Sequence, residues 1–460
     1  MSKYIKAPNT VRKKVAVQSF MQGMNAGIDE SILSAAVAKR IYNFDFSTGA
    51  LREGYGLKEF PFINRAVNNI WTYRRHDFEL GTDEDLLMYA GLDGAVYYIR
   101  NGTECVLEGV SFSSVPYAVN YRLYGDDVIL LCSESDSMIV WDGKSDAYTV
   151  ADSPFITSMT MHCERMFCTV SGERNAVWFS DDLDPTNWDL ELGKGGFIQM
   201  IDERGKLNKT VSFLNYIYIL RDYGISRLTA FADQSEFSVS NLFVSSGKIY
   251  AKSSALCGDT VLFLAAEGVY CFDGLATRKI LPFLSPLILP SKNACGAFHD
   301  GKYYLAFRAD FQAEDNSGTE NNAVLIYDLK NGTSSILYGA NITAFAPCSE
   351  YLLAVTDTGR AAELARCGHL FGQPTEKRWE SGSIDFNTEK IKTVREVYVE
   401  SDDAFTMTVY SEKASKDFFI VPDVGLTRIR VNLSGRKIGI NMVANTEKAR
   451  ITRPTIVFTA

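Results

Sequence analysis

Residues 261–274 read Val261-Leu262-Phe263-Leu264-Ala265-Ala266, then Glu267-Gly268, then Val269-Tyr270-Cys271-Phe272, then Asp273-Gly274. Neither apolar run reaches the ten or so residues that a helix needs, and both are rich in strand-forming side chains. The Asp-Gly pair tolerates positive φ, as a tight turn between antiparallel strands requires. The first run is apolar without alternation, which predicts a strand covered on both faces. The same grammar recurs along the chain. Apolar runs begin near Leu86, Val128, Met166, Tyr216, Val261, Tyr303 and Leu352, at spacings of 38 to 50 residues. Turn pairs accompany them at Asp93-Gly94, Asn101-Gly102, Asp142-Gly143, Asp300-Gly301 and Asn331-Gly332.

A mean period of about 44 residues falls where β-propeller blades lie, and the residue types exclude the helical solenoids that share part of that range. A lone blade cannot bury both faces of its inner strands, whereas radial packing between two neighbours does. The reading is therefore an all-β chain with a propeller over 62–372. It has about seven blades, with six left open by the poorly bounded unit near Met166. Residues 1–61 read as an extended basic arm with some opening strands. Residues 380–460 read as a separate antiparallel, sandwich-like β domain. There Phe405, Met407 and Val409 alternate with Thr406, Thr408 and Tyr410, and Ile429, Val431 and Leu433 alternate with Arg428, Arg430 and Asn432. Gly368, Gly372, Gln373 and Pro374 mark the change of segment.

The 460 residues are 46% apolar and 22% charged, a composition able to offset chain entropy by burial, so bulk disorder is excluded. No run of eighteen apolar residues occurs, so no membrane-spanning helix is expected. The opening is broken by Gln18, Ser19, Gln22, Gly23 and Asn25, which does not fit an export signal. Nine cysteines without framework spacing predict small buried hydrophobes in a reducing compartment. Net charge is −9, unevenly spread. Lys3, Lys6, Arg12, Lys13 and Lys14 give the first 28 residues a charge of +5, whereas residues 61–379 hold 26 basic and 40 acidic side chains. So acidic a middle disfavours sequence-specific binding to nucleic acid, because phosphate contacts depend on cations. The five basic residues of the arm are candidate contacts to a neighbouring subunit.

Reactive constellations are not evident. The four histidines, His76, His162, His299 and His369, fall in different units. His162 with Cys163 and Cys168 lacks the paired spacing of a zinc site. Ser171-Gly172 and Ser246-Gly247 have no nucleophile-elbow context, and no Gly-rich phosphate loop opens a helix. The stretch Ser180-Asp181-Asp182-Leu183-Asp184-Pro185-Thr186-Asn187-Trp188 could hold calcium or echo an aspartate box. It lacks the glycine turn and distant glutamate of the first and the glycine position of the second. It reads as an Asx-type turn over a packed tryptophan. Trp141-Asp142-Gly143 resembles a WD40 repeat end but occurs once, as a strand end with a turn. No catalytic residue, cofactor or metal is expected, and the chain is read as not an enzyme.

Several segments together resemble the tail nozzle and head-to-tail stabilisation proteins of tailed bacteriophages. They are Gly23-Met24-Asn25-Ala26-Gly27-Ile28-Asp29, Ile41-Tyr42-Asn43-Phe44-Asp45-Phe46, Gly49-Ala50-Leu51-Arg52 with Gly54, Val177-Trp178-Phe179-Ser180 with Asp184-Pro185-Thr186-Asn187-Trp188, and 261–274 itself. The resemblance implies a virion protein of the tail or neck, made in the host cytoplasm. It also implies a ring of copies, often six, that stabilises the packaged genome and meets portal or adaptor proteins and distal tail or fibre proteins. Contact with passing DNA would be transient. An acidic wall beside a DNA path would repel the duplex and let it slide. The alternative is a glycan-binding or glycan-cleaving propeller on a fibre or cell surface. An intracellular WD40-like scaffold is disfavoured by its single blade signature.

Overall fold

Alternate residues of each covered strand feed different cores, and this builds the ring. Ile129 and Leu131 pack with Tyr73, Met88 and Trp141, whereas Val128, Leu130 and Cys132 pack with Ile156, Met166 and Cys168. Leu262 and Leu264 likewise face one cluster, and Val261, Phe263 and Ala265 another. A strand whose odd and even residues both need apolar cover is stable only between two neighbours.

The computed structural model describes residues 11–77, 81–191, 193–231, 233–311, 320–423 and 425–460. Within them, four-stranded antiparallel sheets follow one another at 67–111, 117–149, 156–199, 207–244, 249–280 and 295–338. A seventh has strands Ile342–Pro347, Leu352–Thr356 and Ala361–Arg366, and Tyr55–Glu59 supplies its fourth. The molecule is an all-β propeller of seven blades. The repeats legible in the sequence are the second strands of the blades, the ones covered on both sides.

The first strand of each blade lies innermost, where polar side chains stitch neighbours together. Asn120 Nδ2 donates to the Thr72 carbonyl at 3.1 Å, the Thr210 amide donates to Ser158 Oγ at 3.1 Å, and Lys209 Nζ donates to the Ser254 carbonyl at 2.8 Å. The ring closes where Val67 N–H donates to the Gly359 carbonyl at 2.8 Å. Closure also rests on Tyr55–Glu59, in register from Tyr55 against Arg366 to Glu59 against Ala362.

The remaining strands form two facing sheets, and here the structure corrects the expectation of a separate domain at 380–460. One sheet runs Phe44–Asp45, Leu51–Glu53, Arg450–Thr459, Lys392–Ser401, Thr427–Gly435, with Arg12–Ala16 also paired to Arg450–Thr459. The other runs Ala38–Tyr42, Lys377–Ser381, Ile438–Ala444, Phe405–Ser411, Ser415–Ile420. Both chain ends therefore build one sandwich. The physical reason is that Arg450–Thr459 and Lys377–Ser381 would otherwise present bare edges. The sandwich core is continuous with the gap between the fifth and sixth blades, through Leu264, Tyr303 and Phe307.

Asn43 pins the sandwich to the sixth blade. Its Nδ2 donates to the carbonyls of Glu376 at 2.8 Å and Tyr338 at 3.1 Å, and its Oδ1 accepts from the Tyr338 amide at 2.7 Å. Its φ of 59° is one that asparagine tolerates better than most residues. Asn43→Ala is expected to cost about 2–4 kcal/mol in chemical denaturation, because it strands buried backbone groups and strains the position. A loss below about 0.5 kcal/mol would mean that the junction does not depend on it.

Lys377 holds the same junction from within. It is fully buried, and its ammonium donates to the carbonyls of Gly368 at 3.0 Å, Thr375 at 3.2 Å and Thr446 at 2.6 Å. Burial pushes its pKa down to about 8. The unfolded chain, with lysine near 10.4, therefore binds more protons between roughly pH 8 and 10. The contribution of Lys377 to stability should rise with pH through that window and fall away as pH drops through 8. Denaturation series should show Lys377→Met flattening this rise relative to the unsubstituted chain. Lys209, also pushed down to about 8, acts in the same direction, whereas the buried thiols of Cys132, Cys257 and Cys295, pushed up by burial, act against it.

Candidate functional site

With the first strand innermost, the hairpins between first and second strands crowd round one mouth of the central channel. The loops between second and third strands and the links between blades lie at the opposite mouth. The inner hairpins turn tightly: both residues of Tyr124-Gly125, Cys163-Glu164, Leu214-Asn215 and Asp300-Gly301 have positive φ, the mirror-type turn that suits strand twist. Among the described residues, the exposed acids Asp83, Asp126, Glu164, Asp259, Asp300 and Glu350 stand at or beside these hairpins, on every blade but the fourth.

They form an acidic collar. Basic side chains are interspersed without cancelling it. His76 Nδ1 lies 2.7 Å from Asp83 Oδ1, Arg74 lies 3.6 Å from Asp85, and Lys302 Nζ lies 3.0 Å from Asp300 Oδ2. Lys302 holds the Asp300 carboxyl below the usual carboxylate range, so that charge persists well below neutral pH. Such a ring acts over about a Debye length, roughly 8 Å at physiological salt, and repels polyanions at this mouth.

The motifs singled out in the sequence have local tasks. Asp184 Oδ1 accepts from the Thr186 amide at 2.9 Å, Leu183 adopts φ 57°, and Trp188 is buried in the cluster between the second and third blades. Asp142 Oδ1 accepts from the amides of Lys144 at 2.8 Å and Ser145 at 2.7 Å, and Trp141 Nε1 donates to the Ser145 carbonyl at 3.0 Å. His162 Nδ1 lies 2.9 Å from Ser212 Oγ, and burial lowers its pKa. Cys163 sits at the tip of its hairpin and is exposed, unlike the buried Cys168. Ser246 Oγ donates to Glu267. Among the described residues no group of three or more His, Cys, Asp or Glu side chains is placed to hold a metal ion, and no helix is long and apolar enough to cross a membrane.

The basic arm divides. Lys3 and Lys6 lie outside the described residues. Arg12, Lys13 and Lys14 are not on a loose arm but on an edge strand, opposite Thr459, Phe458 and Val457, with their side chains exposed. The backbone of Arg450–Thr459 supplies the pairing that an isolated basic segment lacks.

No protein-family model and no curated protein matches the chain. Solved structures similar to it include the β-propeller domain of Cps50 (Swd1) from Myceliophteria thermophila, at 13% identity over 66% of this chain and 96% of that one, with TM-score 0.44. The WD40 repeats of RRP9 align at 9% identity over 68% and 97% of the two chains, with TM-score 0.41. BBS1N, solved in complex with ARL6DN, aligns at 11% over 67% and 95%, with TM-score 0.41.

Proposed function

We propose that this chain is a structural, non-enzymatic component of the tail or neck of a tailed bacteriophage particle, as its opening and blade-edge segments suggest. In this reading, copies join in a closed ring, six being the number the resemblance implies. The ring links portal or adaptor proteins to more distal tail or fibre proteins and helps retain the packaged genome. The observation that carries the reading is the acidic collar. A surface of like charge beside a duplex path offers no cation to displace its counterions, so DNA passes without being held. The sandwich built from the segments before and after the propeller supports it further, since a propeller whose flanking segments share one core resists fraying under load.

The test is light scattering on the purified full chain after size exclusion, run beside a panel of chromogenic glycosides. A mass near a closed multiple of 51.2 kDa without glycoside turnover is expected. A monomer at every concentration, or sugar hydrolysis at enzymatic rates, would contradict it.

A further inference from the structure

At the mouth opposite the collar, a cleft of about 410 Å³ opens between the third, fourth and fifth blades. Its lining includes Arg174, Lys206, Lys248, Asn208, Glu173 and Asp222. Three cations thus converge on one cavity in a chain whose middle segment is acidic overall. The two carboxylates do little to neutralise them. Glu173 Oε2 accepts from the Trp178 indole N–H at 2.9 Å. Asp222 Oδ2 accepts from the Lys206 backbone amide at 2.9 Å, and its Oδ1 accepts from Asn208 Nδ2 at 3.1 Å. Lys248 Nζ approaches Asp222 only to 3.8 Å, and among the described residues neither Arg174 nor Lys206 has a carboxylate within 4.0 Å.

Positive charge continues inward. Lys209 and Lys252 stand on the inner strands of the fourth and fifth blades, and Lys209 Nζ is anchored on the Ser254 carbonyl. Burial lowers the Lys209 pKa to about 8, and the like charge of Lys252 adds to the effect. Crowded cations that outnumber their counter-charges repel one another, and an anion seated among them relieves that repulsion.

We propose that this cleft binds a phosphate-class oxyanion. The Arg174 guanidinium offers a planar fork, and Lys206 and Lys248 offer mobile ammonium donors. Charge-assisted hydrogen bonds of this kind are about twice as strong as neutral ones. The anion belongs either to a free small phosphate or to a nucleic-acid backbone.

Calorimetry on the full chain at low salt separates these, with pyrophosphate and single-stranded hexathymidylate as the two probes. Saturable binding of pyrophosphate, one per chain, is expected. The Arg174→Ser/Lys206→Ser double variant should weaken it about tenfold or more. Charge reversal by Lys248→Glu should weaken it as well. Lys330→Ser, on the collar side, should leave it unchanged, and melting temperatures should show all variants folded. Hexathymidylate that competes with pyrophosphate and depends on the same residues would assign the site to a nucleic-acid backbone. Pyrophosphate binding alone would assign it to a small phosphate. The proposal is overturned if neither probe binds saturably, or if the double variant binds as tightly as the unsubstituted chain.

Discussion

Leu57→Asp is expected to cost about 3–5 kcal/mol, enough to unfold much of the protein at temperatures where the unsubstituted chain is native. Leu57 is 1% exposed and packs with Leu337, Ala340 and Leu364 in the gap between the sixth and seventh blades. Its strand is five residues long and supplies the fourth strand of the last blade, with His369–Leu370 paired beyond it, so a carboxylate there strikes the joint that closes the ring. The neighbouring glycine reports on the same joint. A side chain at Gly56 would run into the His369 carbonyl oxygen and the Cys367 sulfur. Lys58, exposed and opposite Glu363, is the control, and Lys58→Ala should change stability by less than about 0.5 kcal/mol. Thermal and urea denaturation monitored by circular dichroism measure both variants. Leu57→Asp melting within about 2 °C of the unsubstituted chain would show that the strand is not structural.

Trp379→Ala should cost about 3–5 kcal/mol. Trp379 is 1% exposed and meets Phe20 edge to face, with ring centroids 5.2 Å apart. Phe20 comes from the opening of the chain and Trp379 from the segment after the propeller, so their contact exists only if both ends share one core. A double-mutant cycle with Phe20→Ala should return a coupling of about 0.5–1.5 kcal/mol. Additive losses within about 0.3 kcal/mol would show that the two ends stabilise separate units.

The propeller was legible because its second strands, Val128 to Cys132 and Leu352 to Thr356 among them, must be apolar on both faces, and that leaves a period in the sequence. The later strands of the sandwich were legible because Met407, Val409 and Met442 point into the core while Thr406, Thr408 and Asn441 are half-buried. The opening strands were not. Phe44–Asp45 is two residues long, and Asn43 finds Tyr338 from almost 300 residues away, a partnership that no local pattern encodes. Tight turns at Cys163-Glu164 and Leu214-Asn215 are not legible because neither pair contains glycine; the surrounding strands impose positive φ on Cys163, Glu164 and Leu214, which have no preference for it. The acidic excess was countable, but its gathering at one mouth follows from strand order. The same holds for Arg174, Lys206 and Lys248, which stand in three different loops and meet only through the packing of three blades.

In the proposed role as a particle component, the acidic collar of the chain borders the DNA path. Electron cryomicroscopy of phage particles produced by the strain that encodes it tests this directly. A ring of copies at the neck or tail, with Asp126, Glu164 and Asp300 turned toward the bore, is the predicted map. Particles that lack the chain, or a bore bordered instead by the face that carries Arg174 and Lys206, would contradict it.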